Sequence, residues 1–191
     1  MSVQEHGITH KRSQGMVDFA YRFAKQKHEE VGQLRKYTGE PYIVHPVAVA
    51  QLVASVDQGI DLIAAAFLHD TIEDTNTTYE ELRDVGFGHP IASLVVELTD
   101  VYVSPEQGNR ATRKELERQR LATVSPWAKT VKLADLIDNT RSIVLHDENF
   151  AKVYMREKQL LLEVLTEGNP VLLAKANELI KDYYLQKLNP L

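Results

Sequence analysis

The segment IDLIAAAFLHDTIED, residues 60–74, joins a nearly uniform apolar run to an acidic end. The apolar run from Ile60 to Leu68 is too short to cross a bilayer, so it predicts a helix through the interior of a globular protein. Four polar residues at its end then need partners. They are His69, Asp70, Glu73 and Asp74.

The spacing of these four residues indicates a metal site. On one continuous helix, His69 and Glu73 are four residues apart, as are Asp70 and Asp74, so the four side chains can converge on one point. Three carboxylates beside one imidazole repel each other unless a cation lies among them. A solvated helix end is the alternative, because a His-Asp pair by itself is common. The added Glu73 and Asp74 favour the metal.

Composition predicts one mostly helical, soluble domain. The chain has 191 residues, 43% of them hydrophobic and 26% charged, with nine Gly and seven Pro. These values fit a single globular core with few chain breakers. A net charge of −5 makes nucleic acid an unlikely partner, so any phosphate site is local. Zero Cys leaves only His and carboxylates as metal ligands.

The N-terminus has neither an apolar signal segment nor a sustained helical period. We therefore expect a cytoplasmic protein without a membrane span. Residues 1–14, which include His6 and His10, are predicted to form a mobile tail, and residues 15–191 to form the domain.

Apolar periods and Pro or Gly positions predict helices separated by short loops, and no convincing strand. The loop at residues 34–46 is constrained by prolines and carries Arg35, Lys36 and His45. The helices are expected at about 16–31, 46–53, 58–74, 80–85, 91–98, 114–122, 126–141, 150–165 and 170–188.

A second acidic pair lies in the apolar stretch 131–141, where Asp135 and Asn139 are four residues apart. Two interpretations of Asp135 are open, a metal ligand and a salt-bridge partner, and its apolar setting with Asn139 favours the ligand. Together with His45, His69 and Asp70 it would supply two imidazoles and two carboxylates. That donor set suits manganese, iron or zinc better than magnesium, and the sequence does not choose among the three.

Three ordered motifs resemble the HD-superfamily hydrolase domain of the Rel/SpoT family. They are Arg35, Lys36, Gly39, Pro41, Tyr42, His45 and Pro46; then residues 69–74; then Lys132, Leu133, Ala134, Asp135, Asn139 and Arg141. Because the chain contains little besides this region, it is most similar to the stand-alone small alarmone hydrolases.

The resemblance implies an all-α HD-domain bundle that removes the 3′-diphosphate of ppGpp or pppGpp, with Mn²⁺ as the usual metal and Zn²⁺ or Fe²⁺ not excluded. It assigns His45, His69, Asp70 and Asp135 to the metal. It gives Glu73 and Asp74 the role of holding and deprotonating the attacking water. The substrate contacts that it implies are Arg35, Lys36, Asn139, Ser142 and Arg141.

Two departures from the family pattern keep other substrates open. Leu136 stands where a Lys or Arg is common, and Asp138 where an aromatic residue or His is common. The first alternative is hydrolysis of another nucleotide, such as the 2′-phosphate of NADPH. The second is a non-catalytic nucleotide-binding module. Self-association through the two terminal helices also stays open.

Overall fold

The computed structural model describes residues 3–188, with side chains from residue 15 onward. The chain is built from helices, as its apolar periods predict. Between residues 3 and 188 the only β-type contact is one antiparallel bridge, between Leu34 and Pro41. The helices are α1 (Val3–Glu30), α2 (Val44–Ala54), α3 (Ile60–Leu68), α4 (Thr71–Asp74), α5 (Tyr79–Leu82), α6 (Gly88–Leu98), α7 (Arg110–Ala122), α8 (Pro126–His146), α9 (Glu148–Leu162) and α10 (Pro170–Leu188).

Several helix ends differ from the sequence expectation. Helix α1 begins at Val3, well before Met16, so the backbone is helical in part of the segment predicted as a tail. The side chains of residues 1–14, including His6 and His10, lie outside the described residues, and the tail boundary stays a prediction. Helix α7 begins at Arg110, four residues before the expected start, because the Asn109 side chain accepts a hydrogen bond from the Thr112 amide and caps it.

The residues up to Thr99 form one compact unit, organised around α3. Helix α3 packs against α1, α2 and α6, and all of its residues from Leu62 to Ala66 are buried. Such burial on every side explains why the segment is apolar all round, without the polar stripe of a surface helix. The predicted core helix is therefore confirmed.

The residues from Asp100 onward form a second compact unit, in which α8 packs against α9 and α10. Pro126 occupies the first turn of α8, and the Ser125 hydroxyl accepts a hydrogen bond from the Ala128 amide, as suits a helix start. Val131, Leu133 and Asp135 of α8 are buried. The second unit therefore has a buried carboxylate on its central helix.

Between residues 3 and 188, no helix is long and apolar enough to cross a membrane.

Candidate functional site

The helix expected over residues 58–74 is interrupted where the site begins. Helix α3 ends at Leu68 and α4 restarts at Thr71, so His69 and Asp70 occupy a turn between them. The Thr71 hydroxyl donates to the Leu68 carbonyl at 2.7 Å and satisfies an acceptor exposed by the helix end. The prediction of one continuous helix was wrong at this point, and the turn aims His69 and Asp70 independently of the helical period.

His69 and Asp70 meet His45 to form a cluster of metal-ligand atoms. One nitrogen or oxygen from each of the three side chains lies within 4.8 Å of the others. The Asp70 Oδ2 atom is 3.0 Å from His69 Nε2 and 3.6 Å from His45 Nε2. Both imidazoles are buried, whereas Asp70 is half-buried. The structure thus brings together three of the four predicted ligands.

The hydrogen bonds around this cluster orient its donor atoms. The Nδ1 atom of His69 is 2.9 Å from the Ala66 carbonyl. A carbonyl only accepts, so Nδ1 carries the hydrogen and a neutral ring directs the Nε2 lone pair toward Asp70. The Tyr42 hydroxyl donates to Asp70 Oδ2 at 2.6 Å. Metal-bound histidines commonly have their other nitrogen fixed in this way, so the residues present fit a divalent ion.

A chain of hydrogen bonds supports Asp74, the last residue of α4. The Gln33 amide nitrogen donates to Asp74 Oδ2 at 2.8 Å, and the Gln33 oxygen accepts from His28 Nδ1 at 2.6 Å. Partial burial of the carboxyl group and the nearby charge of Asp70 raise the pKa of Asp74. Burial lowers the pKa of His28, which favours the neutral ring in this chain. Asp74 is therefore a carboxylate with an increased affinity for a proton.

The sequence reasoning missed Gln33 and the supporting role of His28. His28 is buried, with 1% exposure, and its ring is hydrogen-bonded to Gln33. Gln33 lies 41 residues before Asp74, and no local spacing links them. The fold of the loop between α1 and α2 brings Gln33 to Asp74. Glu73 is exposed on α4, and its predicted role in holding water stays a prediction.

The predicted substrate residues Arg35 and Lys36 follow α1 in a tight turn. The amide of Gly39 donates to the Arg35 carbonyl at 3.0 Å, and Gly39 adopts a φ of 70°, which favours glycine. The Arg35 guanidinium carbon is 5.9 Å from the centre of the Tyr42 ring. Lys36 is exposed. Tyr42 therefore contacts both Arg35 and the predicted metal ligand Asp70.

In the second unit, Asp135 and Asn139 form the predicted pair on α8. The Asn139 amide donates to Asp135 Oδ1 at 2.6 Å, and Lys132 Nζ is 3.2 Å from Asp135 Oδ2. Asp135 is buried. Both readings of Asp135 thus have support, since a buried carboxylate with an oriented amide suits a ligand and Lys132 makes an ion pair. Its place as the fourth ligand stays a prediction.

The remaining predicted positions on α8 vary in exposure. Arg141 is exposed and Ser142 half-buried, with the Ser142 carbonyl accepting from His146 Nδ1 at 2.8 Å. Their substrate contacts stay predictions. Leu136 is 1% exposed. This departure from the family pattern therefore fills the core of the second unit instead of changing the charge of an exposed surface.

The chain is a helical protein in which two buried histidines and a half-buried aspartate form a cluster that could hold a metal ion. These features define the class of protein. The chain belongs to the HD domain family, whose sequence profile matches residues 20–165. The match runs through both compact units, so both are parts of one HD domain. The family and the all-α fold are thereby confirmed.

Two similar relatives are named as guanosine-3′,5′-bis(diphosphate) 3′-pyrophosphohydrolases. A guanosine-3′,5′-bis(diphosphate) 3′-pyrophosphohydrolase of Aquifex aeolicus is 37% identical over 142 residues, covering 74% of this chain but 20% of that protein. The pyrophosphohydrolase MESH1 of Xenopus tropicalis is 41% identical over 128 residues, covering 65% of this chain and 67% of that protein. The chain therefore matches about one fifth of the Aquifex protein and two thirds of MESH1.

A solved structure is similar over most of the chain. It is described as a metazoan ortholog of SpoT that hydrolyzes ppGpp and plays a role in starvation responses. The TM-score is 0.78 at 26% sequence identity, and the match covers 87% of this chain and 94% of the solved one.

Proposed function

We propose that this protein is a metal-dependent phosphohydrolase that removes the 3′-diphosphate of ppGpp or pppGpp, giving GDP or GTP and diphosphate. The observation that carries the proposal is the convergence of His45, His69 and Asp70, with ligand atoms within 4.8 Å of one another. The names of the HD-family relatives support the substrate. The activity would lower the alarmone level in the stringent response.

The metal would be held by His45, His69, Asp70 and Asp135. Two nitrogen and two carboxylate donors suit Mn²⁺, Zn²⁺ or Fe²⁺, and Mn²⁺ is our choice from the family resemblance. When bound, the ion supplies an acidified water and polarises a phosphoryl oxygen. The residues of the chain then determine where that water sits and which group takes its proton.

Glu73 and Asp74 would hold and deprotonate the attacking water. The raised pKa of Asp74 suits a general base, because a carboxylate with increased proton affinity takes a proton from water more readily. Its geometry is fixed by the amide of Gln33. The proton would go to a carboxylate oxygen of Asp74 as the water oxygen bonds to the phosphorus that is joined to the ribose 3′-oxygen. The bond between that phosphorus and the 3′-oxygen would break, so that intact diphosphate leaves and the 3′-oxygen takes up a proton to become a hydroxyl.

The proposed substrate contacts are in the loop after α1 and on α8. Arg35 offers a planar fork to phosphate oxygens, and Lys36 an exposed ammonium near the base or phosphate. Asn139 would hydrogen-bond the ribose region, with Ser142 and Arg141 as further contacts. We further propose that the protein works in the cytoplasm and needs no nucleic acid or membrane.

The decisive experiment is hydrolysis of ppGpp with added Mn²⁺ and identification of the products. We expect diphosphate and GDP, and loss of at least about 100-fold in kcat for Asp70→Ala and Glu73→Ala. Asp61→Ala, an exposed carboxylate on α3, is the matched control. Full activity of both site variants would refute the assigned roles.

The same assay separates the alternative functions. Release of orthophosphate from the 2′-phosphate of NADPH, with a higher kcat/KM than ppGpp hydrolysis, would favour a different nucleotide substrate. Binding of ppGpp without turnover at any metal would indicate a non-catalytic module.

A further inference from the structure

A cavity of about 360 Å³ lies in the second unit, between α7 and α9. Ligand pockets range from about 300 to 1,000 Å³, so the cavity has room for a small ligand. Part of its wall is apolar, including the buried Leu121 of α7 and Leu161 of α9. The rest of the wall is charged. Among these charged residues, Lys132 pairs with Asp135, a proposed metal ligand, and the others have no role in the proposed hydrolysis.

Cations outnumber carboxylates in the lining by six to four, in a chain whose net charge is −5. The cations are Lys114, Lys132, Lys152, Lys158, Arg118 and Arg156, and the carboxylates are Asp100, Glu115, Glu117 and Glu157. The cavity is thus a local positive site on an acidic protein, which is the arrangement that draws in a small anion.

The carboxylates of the wall already have cationic partners. Glu117 accepts from the amide of Val101 and pairs with Arg120, which lies outside the lining. Glu157 is held by Arg110 through two hydrogen bonds of 2.8 and 2.9 Å. These pairs leave the wall carboxylates with little capacity to neutralise further amines.

Asp100 pairs with two lysines at once. Lys114 Nζ is 3.0 Å from Asp100 Oδ2, and Lys132 Nζ is 3.6 Å from Asp100 Oδ1. One carboxylate therefore faces two ammonium groups, and a third amine, that of Lys158, lines the same cavity.

Lys158 feels the charges of Asp135 and Asp100, but no carboxylate lies at ion-pair distance from its amine in the described part of the chain. Its Nζ lies 4.9 Å from the centre of the Tyr154 ring, and it makes no ion pair with any described residue between 15 and 188. Burial lowers the pKa of Lys158 to about 8, and the charge of Lys132 contributes in the same direction. A half-buried amine beside other cations gains stability when an anion joins them.

We propose that the cavity between α7 and α9 binds a diphosphate group through Lys114, Lys132 and Lys158. Lysine ammonium groups bind phosphate oxygens as point charges, and a diphosphate carries enough charge and enough oxygens to engage three of them. The group can come from inorganic diphosphate or from a nucleoside diphosphate. Inorganic diphosphate is also the product of the proposed hydrolysis, and only that link rests on the proposed function.

The test is calorimetric titration of the whole protein with inorganic diphosphate, in EDTA and at low ionic strength. Without metal and without turnover, the result does not depend on the hydrolase activity. We expect Lys158→Met to weaken binding about tenfold or more, as removal of one buried charge-assisted contact does. Lys181→Met, an exposed lysine of α10 with the same charge change, is the control and is expected to stay within about twofold.

Two further variants locate the site. Lys36→Met, which removes an exposed lysine of the proposed substrate site, distinguishes binding of diphosphate at that site from binding in the cavity. Lys114→Met repeats the test at a second amine of the cavity, in case Lys158→Met fails to fold. The proposal is overturned if diphosphate does not bind at millimolar concentration, if Lys158→Met and Lys181→Met have equal effects, or if only Lys36→Met weakens binding.

A second titration distinguishes the two sources of the group. Tighter binding of GDP than of inorganic diphosphate, with the same loss in Lys158→Met, assigns the cavity to a nucleoside diphosphate. Equal or tighter binding of inorganic diphosphate assigns it to the free ion. Either result requires the cavity lysines and supports the site.

Discussion

The amide nitrogen of Gln33 lies 2.8 Å from Asp74 Oδ2, across 41 residues of sequence. This bond ties the loop after α1 to the carboxylate that we propose as general base. A hydrogen bond to a carboxylate favours its charged form, so Gln33 lowers the pKa of Asp74 against the larger effect of burial, which raises it.

Gln33→Leu removes this bond and keeps a side chain of similar volume. We expect kcat for ppGpp hydrolysis at neutral pH to fall about tenfold with little change in KM, because the base is less well oriented. The acid limb of the pH profile should move to higher pH, because Asp74 holds its proton more tightly. Gln26→Leu, on the exposed part of α1, is the control. An unshifted acid limb would contradict the role of Gln33.

Asp135→Ala tests the fourth metal ligand. If Asp135 completes the donor set, the affinity for Mn²⁺ should fall by about 100-fold or more, as measured by calorimetric titration of the metal-free protein. The control is Asp182→Ala, an exposed carboxylate of α10 in the same unit. Retention of the wild-type metal affinity would instead make Asp135 a salt-bridge partner of Lys132.

Tyr42→Phe tests the support of the metal ligand Asp70. The variant loses only the hydroxyl that donates to Asp70 Oδ2 at 2.6 Å. Loss of such an outer-shell bond costs about 10- to 100-fold in metal affinity, so we expect a change of that size for Mn²⁺. Tyr184→Phe, at an exposed tyrosine of α10, serves as the reference variant. Equal affinities in the two variants would show that the hydroxyl does not orient the ligand.

Gly168→Ala should destabilise the protein. A Cβ atom at Gly168 would lie 2.7 Å from Leu133 Cδ1 and 3.1 Å from the backbone carbonyl carbon of Lys129. Overpacking of this kind costs about 1–3 kcal/mol of the free energy of unfolding. Urea denaturation provides the measurement.

Gly15→Ala is the matched substitution, since a Cβ at Gly15 of α1 meets no atom within 4 Å. There we expect a gain of about 0.5–1 kcal/mol, because alanine is the better helix former. A loss at Gly15, or none at Gly168, would show that crowding against α8 is not what constrains position 168.

The lowered pKa of Lys158 makes stability depend on pH. With a folded-state pKa of about 8 and an ordinary value of 10.5, the buried charge destabilises the protein fully below pH 8, and the penalty vanishes as the pH rises to 10.5. Lys158→Met should therefore be more stable than wild type by up to roughly 3 kcal/mol at pH 7, since one pKa unit is about 1.4 kcal/mol. The difference should shrink at higher pH.

Urea denaturation at pH 7 and pH 10 measures this difference directly. Lys181→Met should differ from wild type equally at both pH values. A pH-independent difference for Lys158→Met would mean that the amine is not buried as a charge in the folded protein.

The all-α class, the core helix α3 and the pairing of Asp135 with Asn139 followed from the sequence by itself. Each depends on local spacing, because helical periodicity and the i, i+4 relation are properties of neighbouring residues. The three ordered motifs likewise indicated the family, because each of them is a short run of residues that can be recognised by itself. These features need no knowledge of how distant segments meet.

Tertiary structure decided the rest of the candidate site. The cluster of His45 with His69 and Asp70 joins α2 to the turn after α3. The support of Asp74 by Gln33 joins segments 41 residues apart. The cavity at Lys158 forms only when α7 and α9 pack in the second unit. Hydrogen bonds and burial of this kind depend on distances between remote side chains, which no local pattern encodes.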